Sequence, residues 1–146
     1  MPKDKFISAI NASYTFPGSS IYLGAGVLAG EIVADAKVSL SLKMMNRHGL
    51  VTGATGSGKT RTLQLMAEQL SAAGVPVFMP DMKGDVSGIA KEGTVNEKIN
   101  ERTKAIGLEG YKPSAYPVEL YSLSGKVGAQ MRATVTEFGP VLLTKI

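Results

Sequence analysis

The sequence contains no cysteine, no tryptophan and a single histidine. Without cysteine there is no disulfide framework, no thiol nucleophile and no thiolate metal site, and one histidine cannot build a histidine-based metal centre within one chain. Any metal held here is expected to have oxygen ligands. Charge is modest as well: 19% of the residues are charged, and the cations behind the net charge of +4 are interleaved with carboxylates, not gathered into a block. That balance permits nucleic-acid binding without arguing for it. Long apolar runs are also missing. No stretch approaches the roughly 20 residues that a membrane-spanning helix needs, and no sustained apolar segment opens the chain as a secretion leader would. The expectation is a cytoplasmic chain with no membrane partner.

What is present suits one soluble folded unit: 146 residues, of which 44% are hydrophobic, enough for a core of ordinary size. There is no internal repeat, although Gly-Ala-rich stretches at Gly24 to Gly30 and Gly53 to Gly58 punctuate the first half. Residues 6–23 alternate short apolar groups with Asn, Ser, Pro17 and Gly18, which suggests two short strands joined by a turn. Val38 to Leu42 has period two and reads as a half-buried strand. Gly49-Leu50-Val51-Thr52 reads as a short buried strand ending at a glycine.

A helix is expected over Arg61 to Ala73, with Leu63, Met66, Ala67 and Leu70 on its packed face and Gly74 as its C-terminal cap. Val77-Phe78-Met79, closed by Pro80-Asp81, reads as the next strand. Strand, helix and strand then follow within about 30 residues, the size of a βαβ unit, which implies a parallel sheet with helices on its faces. Further on, Thr94-Val-Asn-Glu97 matches a capping box, and Val95, Ile99, Arg102 and Ile106 trace a helix that stops at Gly107. Tyr116 to Leu123 reads as a strand, and the stretch from Thr136 as the start of a helix with Pro140 in its first turn.

Gly53-Ala-Thr-Gly-Ser-Gly58-Lys59-Thr60 satisfies the pattern G-x-x-x-x-G-K-[ST], and each fixed position has a physical reason. The glycines let the backbone curl so that successive amide N–H groups, with the positive end of the following helix dipole, face phosphate oxygens. The residues expected at the nucleotide are Ala54, Thr55, Gly56, Ser57, Gly58, Lys59, Thr60 and Arg61. Lys59 would reach the β- and γ-phosphates, and the Thr60 hydroxyl would ligate Mg²⁺. Chance alone can produce the pattern, but here it follows an apolar stretch and opens an amphipathic helix. The expected ligand is a purine nucleoside triphosphate.

Asp81 ends the expected strand after this helix, and Asp85 follows four residues on. Carboxyl ends of parallel strands face the ligand crevice, so both carboxylates could sit near Mg²⁺ or an attacking water. Equally, Asp81 could hold a turn and Asp85 could cap a short helix at Val86 to Ala90. Lys83 reads as solvated, His48 as a turn residue, and nothing local decides between a basic finger and a surface charge for Arg132.

Asn46-Arg47-His48-Gly49-Leu50 leading into Gly53 to Thr60, and then Val75-Pro-Val-Phe-Met-Pro-Asp-Met-Lys-Gly-Asp85, resembles the bacterial HerA-like helicase and ATPase family, in particular its nominally helicase-like branch. The resemblance extends from about Ile21 to the C-terminus and is most specific over residues 46–90. It implies an α/β fold: a RecA-like P-loop NTPase core of three layers around a mainly parallel sheet, similar to the FtsK-type DNA translocases. It further implies a homo-hexameric ring, ATP and Mg²⁺ as cofactors, and double-stranded DNA as partner of the full-length protein. The family's Asp-Pro-His-Gly-Glu element is matched at Asp81, Gly84 and Asp85, with Asp for Glu at the last position and Met82 and Lys83 in place of Pro and His. On this reading Lys59 and Asp85 are catalytic, and Thr60 and Asp81 hold the metal.

Such ATPases also need a second hydrophobic run ending in an acidic pair and an arginine from a neighbouring subunit. No such run follows Asp81. The chain is therefore expected to be an N-terminal part of a longer motor ATPase, with a strand-rich lead-in at 1–37 and a partial P-loop core at 38–146, and to be weak or inactive alone. Two other readings stay open on the residues: a compact P-loop kinase or GTPase-like enzyme using Asp81 as the metal-holding acid, and a non-catalytic nucleotide-binding module. Direct adjacency of the Val77 and Leu50 strands would favour the former.

Overall fold

The computed structural model describes residues 1–108 and 110–132. The helix expected from Thr136 lies outside the described residues. The chain is mixed α/β and falls into two compact units, Met1–Tyr116 and Pro117–Ile146.

The first unit begins with a helix, α1 (Lys3–Tyr14), where two strands joined by a turn were expected. The breakers Pro17 and Gly18 stand after this segment, not inside it. Phe6, Ile7, Ile10 and Asn11 form its half-buried stripe, a helical spacing that the intervening Ser8 and Ala9 disguise as alternation. Two antiparallel strands follow, β1 (Ser20–Leu28) and β2 (Glu31–Ser41). Leu28 pairs with Glu31, and Ala29 and Gly30 between them have φ of 51° and 88°. Positive φ at both central residues is the type I′ turn, whose twist matches that of paired strands. The strand expected at Val38 to Leu42 is the end of this longer β2, and position 37 falls within it.

A two-stranded hairpin is marginal unless something packs on it. Here α1 does, with the Phe6 ring seated on Gly26, where a Cβ would come within 2.9 Å of the ring. Ile21, Val33 and Ala36 are the hairpin's buried hydrophobic residues. Part of each strand of the hairpin is met by a side-chain amide. Asn11 of α1 donates to the Asp35 carbonyl at 3.0 Å and accepts from the Lys37 N–H at 3.2 Å. Gln69, on the helix α2 (Lys59–Ala72), accepts from the Tyr22 N–H and donates to the Tyr22 carbonyl, each at 2.6 Å. Exposed strand edges otherwise present unpaired N–H and C=O groups, and these two amides satisfy four of them.

Helix α2 lies where expected and ends in the expected way. Gly74 has φ of 77°, the Val75 N–H bonds the Leu70 carbonyl at 2.9 Å and the Gly74 N–H bonds that of Ser71 at 2.9 Å, which is the Schellman closure. Its packed face is a correction. Gln64 and Ala67 are the buried residues, Met66 and Leu70 are half-buried and Leu63 is 43% exposed. The bonds of Gln64 and Gln69 to backbone groups on other elements turn that side inward. Helix α3 (Glu97–Ala105) starts two residues later than the capping box predicted: the Asn96 side chain accepts from the Ile99 N–H at 2.9 Å, and Val95 stays outside the helix, exposed. It stops as expected at Gly107, where φ is 69° and the Leu108 N–H reaches the Thr103 carbonyl at 2.8 Å. The Tyr22 hydroxyl donates to the Ile106 carbonyl at 3.0 Å, tying the end of α3 to β1.

The parallel sheet is the largest correction. Among the described residues neither Leu50–Thr52 nor Val77–Met79 forms a strand, and Leu50 and Phe78 are 87% and 78% exposed. A strand exists only where a neighbour takes its N–H and C=O groups, and neither segment has one here, so the βαβ unit and the adjacency test between these strands do not apply. In the second unit, the strand expected over Tyr116 to Leu123 shrinks to β3 (Tyr121–Ser122), paired in parallel with β4 (Ala129–Gln130). Gly128 is required there because its Cβ would run into the Leu120 carbonyl that accepts the Ala129 N–H.

Candidate functional site

The glycine loop leads straight into α2, and its geometry follows from its residues. Ser57 donates its N–H to the Ala54 carbonyl at 3.2 Å, closing a tight turn, and its hydroxyl occupies the space a Cβ on Gly53 would need, 2.6 Å away. Gly56 and Gly58 adopt φ of 80° and 94°, left-handed conformations that glycine takes without strain. Gly58 is the residue at which the chain enters α2.

The first N–H to close the helical ladder is that of Thr62, on the Gly58 carbonyl at 3.0 Å. Among the described residues the N–H groups of Gly58, Lys59, Thr60 and Arg61 have no carbonyl partner, as the first turn of a helix requires unless a ligand or cap supplies one. No side chain caps this end. A cavity of about 270 Å³ opens there, lined by Gly56, Gly58, Lys59, Thr60 and Arg61. Lys59 folds across the loop and donates to the Ala54 carbonyl at 2.7 Å. Thr60 is half-buried. The residues whose amides begin the helix without a carbonyl partner among the described residues therefore line a single small space at its positive end. Of the eight residues expected at the nucleotide, five line that space, while Ala54, Thr55 and Ser57 build the turn beside it.

Asp81 stands in a different setting. Its Oδ1 accepts from the N–H groups of Gly84 at 2.8 Å and of Lys83 and Asp85 at 3.3 Å, and its Oδ2 from that of Val86 at 3.0 Å. Gly84 turns through φ of 76° to make this wrap possible. The amides, led by that of Val86, hold the exposed carboxyl below its ordinary pKa of 3.8. The turn-holding role thus accounts for the conformation of Asp81, and Oδ2, with one amide on it, keeps acceptor capacity to spare. Asp85 does not cap the one-turn 3₁₀ segment Ser87–Ala90, which has no side-chain cap. Its backbone carbonyl instead accepts from Gln64 Nε2 at 2.7 Å. Neither Asp81 nor Asp85 lines the loop cavity. His48 is exposed between β2 and the glycine loop, and Arg132, in the second unit, bonds its neighbour Gln130.

Gln64 is the site residue that sequence reasoning missed. It is 5% exposed, accepts from the Arg61 guanidinium at 2.8 Å and donates to Asp85, so it joins the start of α2 to the Asp81–Val86 turn. The available signal is an amide in the middle of a helix whose spacing places leucine and methionine on the packed face.

These features define a mixed α/β chain with a glycine loop at the N-terminus of a helix. The family model described as Helicase HerA-like C-terminal matches residues 27–146, and the chain belongs to the HerA-like helicase family. No curated protein and no solved structure matches it. The match corrects one expectation: the family's description places the matched stretch in the C-terminal part of such helicases, not in an N-terminal part. Among the described residues no helix is long and apolar enough to cross a membrane.

Proposed function

We propose that this chain carries the nucleotide-binding loop of a HerA-like motor ATPase that couples ATP hydrolysis to work on double-stranded DNA. The observation that carries the reading is the N-terminus of α2, where the amides of Gly58, Lys59, Thr60 and Arg61 have no carbonyl partner among the described residues and the same four residues line one cavity. The donor set fits the phosphates of a nucleoside triphosphate: backbone N–H groups and the helix dipole for the anion, a lysine for the β- and γ-phosphates. The Thr60 hydroxyl and the Asp81 carboxylate are the oxygen donors that would hold Mg²⁺, which when bound neutralises charge on the β- and γ-oxygens. Asp81, which does not itself line the cavity, would serve this through the free capacity of Oδ2 while its amides fix its place.

In this reading Lys59 binds and polarises the transferred phosphate, and Asp85 accepts a proton from the attacking water. Gln64 holds the backbone of Asp85 against α2 and so sets where that carboxylate can reach. Ring assembly, most simply as a hexamer, would supply the arginine from a neighbouring subunit, and without that arginine and a second acidic strand the isolated chain should bind nucleotide but turn it over poorly.

The test is steady-state ATP hydrolysis by the full-length protein with and without duplex DNA. A DNA-stimulated rate that falls with rising salt supports the motor reading. Hydrolysis indifferent to DNA contradicts it, and robust turnover by the 146-residue chain alone contradicts the need for partner groups.

A further inference from the structure

A second cavity, of about 210 Å³, borders the first, and Arg61 lines both. One side is the face of α2 formed by Arg61, Gln64 and Glu68, three and four residues apart as a helical face requires. Gly88 and Ile89 of the 3₁₀ segment also line it, as do Tyr111 and Tyr116, and the Tyr116 N–H donates to the Ile89 carbonyl at 3.1 Å, which ties Tyr116 to that segment. Gln64 accepts from Arg61 and keeps the guanidinium at the junction of the two spaces.

Volume and chemistry narrow the ligand. Ligand cavities that enclose a whole drug-sized molecule start at roughly 300 Å³, so this one suits part of a nucleotide. Two phenol rings with Ile89 and Ile99 offer flat and aliphatic surface for a planar heterocycle. Arg61, Lys91 and Lys112 outnumber the one carboxylate, Glu68, which suits a ligand whose other end is anionic. Glu68 supplies an acceptor for a ring or exocyclic N–H, and burial pushes its pKa up while the nearby Arg61 opposes this.

We propose that this cavity receives the base and ribose of the nucleoside triphosphate whose phosphates occupy the glycine loop. The proposal rests on the nucleotide-binding reading above and adds the residues that would make the loop select a nucleotide over a bare polyphosphate.

The experiment is isothermal titration calorimetry of the chain with Mg·ATP and with Mg·tripolyphosphate, repeated on Gly88→Leu. Gly88 lines the cavity, its backbone is outside the left-handed region, and a Cβ there meets nothing within 4 Å, so leucine fills the space without strain at its own position. The expected result is ATP binding about tenfold or more tighter than tripolyphosphate, with the advantage lost in Gly88→Leu and tripolyphosphate affinity unchanged. Equal affinities in the unaltered chain, or an unaltered ATP advantage in Gly88→Leu, overturn the proposal while leaving the loop reading intact. If Gly88→Leu loses both ligands, Tyr116→Ala decides: selective loss of ATP supports the proposal, and unchanged ATP affinity overturns it. Failure of the unaltered chain to bind either ligand overturns the loop reading and this proposal together.

Discussion

The helix α2 and the two apolar stretches beside it, residues 49–52 and 75–79, draw on the same kinds of leucine, valine and methionine side chains, yet only the helix takes regular structure. The helix completes its hydrogen bonds within itself, and glycines at 58 and 74 supply the left-handed turns by which the chain enters and leaves it. A strand has no such internal closure. Its N–H and C=O groups must be met by another segment, and Leu50 and Phe78 stay exposed where none meets them. The hairpin β1–β2 shows the same rule from the other side, since part of each of its strands is met by the amides of Asn11 and Gln69. Regular structure in this chain is found where the bonding partner is local or is delivered by a helix.

Removing a delivered partner should have the largest effect. Gln69→Ala strips two bonds from the part-buried Tyr22 backbone, and the loss should be about 1–3 kcal/mol, read as a lowered midpoint in urea denaturation. Asn96→Ala breaks a purely local closure, the N-cap of α3. It should cost about 1 kcal/mol and reduce the protection of the Ile99 amide in hydrogen exchange.

A smaller loss, confined to acid, is expected from Asp81, which is exposed and screened by solvent. Its pKa is lowered by folding, so its contribution is complete above the unfolded value and disappears as pH falls through the lower folded value. Thermal midpoints measured from about pH 6 to about pH 2 should show a drop at the acid end that Asp81→Asn lacks. At the bottom of the scale, Phe78→Ser should change stability by less than about 0.5 kcal/mol. A large loss there would mean that Phe78 is covered, and would break the contrast between helix and flanks.

What could be read from residues alone divides along the same line. The glycine loop, α2 with its Gly74 cap, and the stop of α3 at Gly107 were legible because each depends on residues within a few positions. The start of α3 was displaced by two residues because Thr94 and Asn96 both satisfy a capping pattern, and only the chain's path decides which does so. Helix α1 was misread because a stripe at Phe6, Ile7, Ile10 and Asn11 becomes distinct only against the surface it packs on. The roles of Asn11, Gln64 and Gln69 were not legible at all, since each amide meets a backbone group far away in sequence. The pair Asp81 and Asp85 left two readings open, and the turn built around Asp81 depends on a glycine at 84 whose angle no spacing reveals.

The central claim is that the backbone around Gly58, with the Lys59 side chain, binds a nucleotide's phosphates. Calorimetric titration of the chain with Mg·ATP, unaltered and as Lys59→Ala, tests it most directly. The account predicts saturable binding by the unaltered chain at about millimolar concentration or below, weakened at least about tenfold in Lys59→Ala. Equal binding by both forms, or none by the unaltered chain at about that concentration, would contradict it.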